Sequence, residues 1–432
     1  MPAPKPAAPS VLSSPYPGKV TNGPTARLLI PTLTSGDDAF HALLPALRAA
    51  LNGSGPALRL SGAGDQSPDW NRSEPAELAA SDDDPTDPTA VAVTTSGSSG
   101  VPKTVLLSAA ALLASAGATH DRLGGSGHWL LALPAQHIAG VQVLVRSLIA
   151  GTRPTRLDLS AGFTPDGFVE AAGRVGGRSG ARRYTALVPT QLTRLLTAPG
   201  DPGRQAVEAL RGFDAVLVGG AAIGPVLRSQ AAEAGVRLVA TYGMSETCGG
   251  CVYDGIALDG VSVRLDDDGR VLLGGPMLAR GYLDDPSGTA EAFVLDPEGR
   301  RWFRTDDAGE LDGDRLRILG RLDSVIITGG INVAPGPVEA ALQRLPGVAE
   351  AVVVGLPDPE WGQRVAAALV LRPGAEPPTL AQARAQVTAE VSAPAAPRQL
   401  TLFDVLPLRG PGKPDRTAIE KALTELPPRE RL

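Results

Sequence analysis

The sequence predicts an α/β fold: a large N-terminal α/β domain with parallel sheets and β-hairpins, followed by a small C-terminal α+β domain. Three observations predict it. The chain has 432 residues, too many for one small domain at a prior of about 100–200 residues per domain. Between residues 91 and 240, short apolar runs alternate with amphipathic stretches, the texture of strands joined by crossover helices. From Val261 onward, Asp/Gly turns sit between alternating strands, which marks hairpins. With 43% apolar and 20% charged residues, the composition is that of a folded globular protein and excludes a fibre or global disorder.

Residues 1–24 are rich in Pro, Ala and Ser and predict an extended, flexible tail. The large domain is expected over 25–321 and the C-terminal domain over 322–432. Val91 to Val93, Trp129 to Leu133, Tyr184 to Val188, Ala215 to Val218 and Val236 to Ala240 read as buried strands. Ile138 to Ala150, Pro189 to Leu196 and Pro225 to Ala234 read as helices of a largely parallel layer. VSVRLDDDGRVLLGG and GELDGDRLRILG each enclose a hairpin turn. Beyond Gly320, strands VAEAVVVG, VAAALVLR and LTLFDVL accompany helices Pro335 to Leu345 and Leu380 to Val391.

Charge and cysteine usage exclude several classes. The net charge is −6, with no basic stripe to neutralise a run of phosphates, which disfavours a nucleic-acid partner. The two cysteines, Cys248 and Cys251, cannot build a disulfide framework and lack the second pair of a structural zinc site. The N-terminal stretch has no continuous apolar core of a signal peptide. The most apolar segment, Trp129 to Gly151, is broken by Pro134, Gln136, His137, Gln142 and Arg146, whereas a membrane helix needs about 20 mostly apolar residues. A cytoplasmic protein without integral membrane contact is expected.

The stretch Val91 to Ser108, VAVTTSGSSGVPKTVLLS, is the richest in chemistry. A β-branched run feeds Thr95, Ser96, Gly97, Ser98, Ser99 and Gly100, then Lys103. Hydroxyls and glycines in series let backbone N–H groups face an anion, and a lysine adds a mobile charge for a polyphosphate. It is not a Walker A loop, since Pro102 stands where that pattern requires Gly. A plain Ser/Gly linker has the same composition.

Further segments resolve that ambiguity. TTSGSSGVPK, YGMSET at 242–247, WFRTDDAGEL at 302–311, GRLDSVIITGGINVAPGPVE at 320–339 and RGPGKPDR at 409–416 occur in an order that resembles the adenylate-forming enzymes. That family comprises acyl- and aryl-CoA ligases, luciferases and the adenylation domains of peptide synthetases. The resemblance implies ATP, Mg²⁺ and coenzyme A as co-reactants and a mobile C-terminal domain. It implies that Thr95 to Gly100 and Lys103 hold the β- and γ-phosphates and that Gly219, Gly220 and Ala221 wall the adenine. Tyr242, with Gly243 behind it, would pack on that base; Ser245 would meet the α-phosphate and Glu246 would ligate Mg²⁺. Asp307 and Arg321 match the ribose-binding pair, although Asp306 stands where the family has Gly. Lys413 matches the lysine that a swinging loop brings to the α-phosphate, Asp323 the hinge, and Gly329 and Gly330 the pantetheine channel.

The acid is constrained less tightly. PAQHIAGVQ lacks the aspartate with which amino-acid adenylation domains pair an ammonium, so an amino-acid substrate is disfavoured. His137 matches the family's pocket-gating position. PAQHIAGVQVLVRSLIAG and YTALVPTQLTRLL are similar to the o-succinylbenzoate:CoA ligases of menaquinone biosynthesis, which implies a small aromatic keto acid as partner. Thr190 and Thr247 then fall at the substrate. Arg146 either holds a second substrate carboxylate or snorkels at a helix surface. Another aryl- or short- to medium-chain acyl-CoA synthetase, and a catalytically silent nucleotide-binding scaffold, stay open, and the resemblance allows a homodimer. The C-x-x-C follows a nucleotide loop instead of opening a helix, so small wall residues fit it better than redox chemistry.

Overall fold

The computed structural model describes residues 37–59, 87–95, 102–176, 180–408, 414–425 and 430–431. The expected tail, Ser96 to Gly100 and Lys103's distant counterpart Lys413 differ in this respect: Lys103 is described, while the tail, Ser96 to Gly100 and Lys413 lie outside the described residues. Three sheets form among the described residues, of four, twelve and six strands. The fold is mixed α/β, with a large N-terminal part and a smaller C-terminal α+β part.

The twelve-stranded sheet is built as expected at its parallel end. Thr155–Arg156, His128–Leu131, Arg183–Leu187, Ala215–Val218 and Leu238–Met244 lie side by side, all parallel. The buried, mostly apolar runs of the central three, His128–Leu131, Arg183–Leu187 and Ala215–Val218, suit strands covered on both faces. Trp129 and Leu131 enter one core cluster, while Leu130 and Ala132 enter the other, the two-residue alternation of a pleated strand. At Leu238–Met244 the sheet changes character. Gly249–Tyr253 returns antiparallel to it, and the sheet continues through the hairpins Arg301–Asp312 with Arg315–Arg321 and Ser262–Leu265 with Arg270–Gly274.

One expected element sits elsewhere. The strand over Val91 to Val93 belongs to Thr89–Thr95, in the four-stranded sheet, where it pairs antiparallel with Lys103–Ser108. The short connection explains this, because a parallel return needs a crossover of about a dozen residues or more. The helix Ala109–Arg122 carried no clear periodic signal, and the reason is visible: its buried stripe includes the polar Ser115, Thr119 and His120, while Leu113, Ala114 and Ala118 lie off that stripe. Its start is fixed by Ser108, whose hydroxyl accepts from the Ala111 amide at 3.2 Å, a side-chain N-cap.

In the C-terminal part, Val348–Asp358 pairs antiparallel with Gly362–Leu371, and Gln399–Leu402 lies parallel beside the latter. Helices Pro335–Leu342 and Leu380–Glu390 cover one face, and Arg416–Glu425 covers the other. Arg416 ties the two faces together, donating to Glu339 at 2.7 Å and to the Val353 carbonyl at 2.6 Å. Among the described residues, no helix is long and apolar enough to cross a membrane.

Candidate active site

Three turns meet where the parallel strands end. The first follows Ala215–Val218. A Cβ on Gly219 would lie 2.3 Å from Thr241 Oγ1 and 2.8 Å from the Thr241 carbonyl, so only glycine lets this turn close against the neighbouring strand. Gly220 follows at φ +81°, and Ala221 is half-buried. The second is the turn Ser245–Thr247 after Leu238–Met244. Gly243 permits it, since a Cβ there would come within 2.1 Å of the Gly249 carbonyl. The third is the loop Pro134 to His137, which leads into the helix Ile138–Ile149 with His137 at its N-cap.

Tyr242 and Asp307 are joined directly, the Tyr242 hydroxyl donating to Asp307 Oδ2 at 2.8 Å. Burial raises the Tyr242 phenol well above its usual range, and the Asp307 charge adds to the effect. Burial also pushes the Asp307 carboxyl up, against the Tyr242 hydrogen bond and the field of Arg321. Asp307 faces Arg321 across the hairpin ladder. Arg321, however, spends its guanidinium elsewhere: it donates to both Asp323 oxygens, at 2.9 and 2.8 Å, and to Asp306 Oδ2 at 3.0 Å. Burial works against that charge, but Asp323 and Asp306 outweigh it and raise the Arg321 pKa. The additional acid at 306 is thus held between Arg321 and Arg270, the latter 3.6 Å away.

Glu246 and Lys103 converge on one residue that the sequence reading did not single out. Tyr282 donates its hydroxyl to Glu246 Oε1 at 3.0 Å, and the Lys103 ammonium lies 4.5 Å from its ring centroid. Asp285 stands 3.9 Å from Lys103. Burial raises the Glu246 carboxyl, while the Tyr282 hydrogen bond and Lys103 pull it back. Scarcity was a usable signal: the chain has only five tyrosines, and two of them turn their hydroxyls to carboxylates here. Ser245 is buried beside Glu246. Among the described residues, no group of three or more His, Cys, Asp or Glu could cage a metal. One hard carboxylate nevertheless fits Mg²⁺, which is commonly held by one or two carboxylates together with substrate phosphates and water.

Two of the expected substrate residues are buried. The Thr247 hydroxyl is fully buried and spans its own turn, accepting from the Met244 amide at 3.0 Å and donating to the Gly249 carbonyl at 2.8 Å. Its hydroxyl shapes the turn. Arg146 neither snorkels nor faces an open cleft. It is 4% exposed, lies over the Trp129 ring at 5.1 Å, and donates to the Tyr253 hydroxyl at 3.4 Å. Thr190 is half-buried in the first turn of Pro189–Thr197. Gly329 and Gly330 form the exposed turn of the hairpin Ile326–Thr328 with Ile331–Val333, at φ +58° and +77°. Cys248 and Cys251 are buried, and burial raises both thiols, that of Cys251 up to about 12, which argues against thiolate chemistry.

Comparisons with known proteins identify the family and the fold. A family described as AMP-binding enzyme matches residues 44–311, and its C-terminal domain matches residues 337–413. A probable 2-succinylbenzoate–CoA ligase of Mycobacterium tuberculosis is 48% identical over 387 residues, covering 88% of this chain and 95% of that protein. The structure of the amide bond synthetase McbA from Marinactinospora thermotolerans superposes with a TM-score of 0.68 at 27% identity, over 91% of this chain and 79% of that one. The o-succinylbenzoate CoA synthetase of Bacillus subtilis, in complex with its acyl-adenylate intermediate, shares the fold at a TM-score of 0.65 and 23% identity, over 91% and 78% of the two chains.

Proposed function

The chain belongs to the AMP-binding enzyme family, and from that premise we propose that it is an ATP-dependent 2-succinylbenzoate–CoA ligase of menaquinone biosynthesis. In the first half-reaction, a carboxylate oxygen of the acid attacks the α-phosphorus of ATP and pyrophosphate leaves. In the second, the thiol sulfur of coenzyme A attacks the acyl carbon and AMP leaves. Negative charge grows on phosphoryl oxygens during the first step, so aligned donors and cations matter more than a general base.

The observation that carries the reading is the convergence of Tyr242 and Glu246, Asp307 and Lys103, from three separate segments, at the end of the parallel strands. On this reading, Tyr242 offers its ring to the adenine while Asp307 fixes the ring's rotation and turns its other oxygen to the ribose. Lys103 serves the β- and γ-phosphates together with the Thr95 to Gly100 loop. Glu246 would hold Mg²⁺, which supplies neutralising charge for the phosphates. Ser245 and Lys413 attend the α-phosphate, and His137 gates the acid. Asp323 is the hinge of a domain beginning near 322. The length of the match to the mycobacterial relative supports 2-succinylbenzoate over other aryl or acyl substrates.

Pyrophosphate exchange into ATP, measured with a panel of carboxylic acids, tests this. Exchange should depend on 2-succinylbenzoate and exceed that with octanoate or benzoate by at least about tenfold. Equal exchange with octanoate would replace the substrate assignment with a general acyl-CoA ligase, and no exchange with any acid would leave a silent nucleotide-binding scaffold.

A further inference from the structure

Tyr282 is placed with unusual care for a residue on a two-residue strand. Gly281–Tyr282 pairs antiparallel with the strand that begins at Lys103, in the register Gly281 with Leu106 and Tyr282 with Val105. The flanking amides of Arg280 and Leu283 donate to Leu106 and Thr104 at 2.9 and 2.8 Å. On the other side, the Tyr282 amide donates to Thr289 Oγ1 at 2.9 Å. A Cβ on Gly281 would lie 2.4 Å from Thr289 Cγ2, so the helix Pro286–Ala292 is pressed against this backbone. The ring itself is 8% exposed and packs on Phe293, with centroids 6.0 Å apart.

We infer that Tyr282 is a positioning residue that seats two functional groups of opposite charge at once: its hydroxyl orients the Glu246 carboxylate, and its ring face holds the Lys103 ammonium. The inference rests on the reading that Glu246 meets magnesium and Lys103 meets the phosphates. The chemistry of one side chain suits both tasks. The hydroxyl donates to Oε1, which fixes the carboxylate plane and leaves the second oxygen to a ligand. The negative face of the aromatic ring attracts a cation without neutralising it, as a full ion pair would. Asp285, 3.9 Å from the ammonium and 40% exposed, leaves that charge available. Lys103 begins the strand that pairs with Tyr282, so the metal ligand and the phosphate cation share one rigid mount across two sheets.

The two tasks separate under substitution. Tyr282→Phe removes the hydroxyl and keeps the ring; Tyr282→Leu removes both. ATP affinity is measured by calorimetry on the full chain, once with excess EDTA and once with Mg²⁺, without any acid substrate. Tyr282→Phe should bind ATP in EDTA within twofold of the wild type, while the gain in affinity on adding Mg²⁺ falls at least fivefold. Tyr282→Leu should in addition lose at least threefold in EDTA, and that extra loss should vanish in a Lys103→Met background. An intact magnesium gain in Tyr282→Phe, or equal metal-free affinities of the Phe and Leu variants, overturns the inference. If Tyr282→Leu does not fold, Tyr282→Trp, which retains a ring face, should keep metal-free affinity within twofold, and its loss would count against the lysine seat. Wild-type protein that fails to bind ATP at all would instead defeat the underlying reading.

Discussion

Arg146 is the residue whose surroundings matter most to its interpretation. It is almost fully buried with Trp129, Tyr253 and His120 about it, and its Nε has no hydrogen-bond partner. Burial lowers its pKa, against a smaller opposing effect of Tyr253. A buried cation without a partner charge is unfavourable relative to an apolar side chain of similar volume. Arg146→Met should therefore leave thermal stability unchanged or raise it, by up to about 4 kcal/mol, and leave the KM for the acid substrate within about twofold. A tenfold rise in that KM alone would restore the carboxylate-binding role. His120 accepts from the Trp129 indole at 3.3 Å in the same cluster, and burial, then Arg146, lowers its pKa to about 4. The unfolded chain takes up that proton near pH 6.5 while the folded chain resists it, so stability falls as pH drops from about 6.5 towards 4. Replacing His120 with Gln should flatten that part of a melting-temperature profile. An unchanged profile would mean that other groups govern acid unfolding. Neither feature was legible in the sequence, where Arg146 stood in an apolar helix with two equally good explanations.

Elements were far more legible than partners. Apolar runs located the parallel strands because strands buried on both faces need no alternation. Asp/Gly turns located the hairpins because such turns demand left-handed backbone that few other residues adopt. What escaped was the helix Ala109–Arg122, whose buried stripe mixes polar with apolar residues, and the two-residue strand that carries Tyr282, too short to show any periodicity. The loop ahead of Ile138–Ile149 gives a prediction at this scale. A Cβ on Gly140 would lie 2.2 Å from the Pro134 carbonyl, so the first helical turn and the His137 loop are locked together by a missing side chain. Gly140→Ala should lower the melting temperature and reduce acid-dependent pyrophosphate exchange by at least about tenfold, although helix propensity alone favours Ala by about 1 kcal/mol. A more stable, fully active variant would show that the loop can yield.

At the scale of the whole molecule, the junction near Arg321 links the two halves. Arg321 holds Asp323 and Asp306 together, and all three side chains are partly exposed, so each pair contributes about 0.2–1 kcal/mol and weakens in salt. If Asp323 is the hinge, removing Asp306 loosens it. Asp306→Gly should raise the rate of thioester formation from preformed acyl adenylate, relative to adenylate formation, by about two- to fivefold at low salt, with the difference shrinking as salt is added. A ratio equal to that of the wild type at both salt levels would assign Asp306 to local loop structure. Fold class and family were readable from the residues alone, because turn glycines, β-branched runs and ordered motifs act through local backbone preferences and keep their meaning wherever the chain goes. Folding added that Tyr242 meets Asp307, that Tyr282 meets Glu246 and that Arg146 lies buried against Tyr253. Those partners are separated by 65, 36 and 107 residues, and no local preference encodes which distant side chain will share the same buried volume.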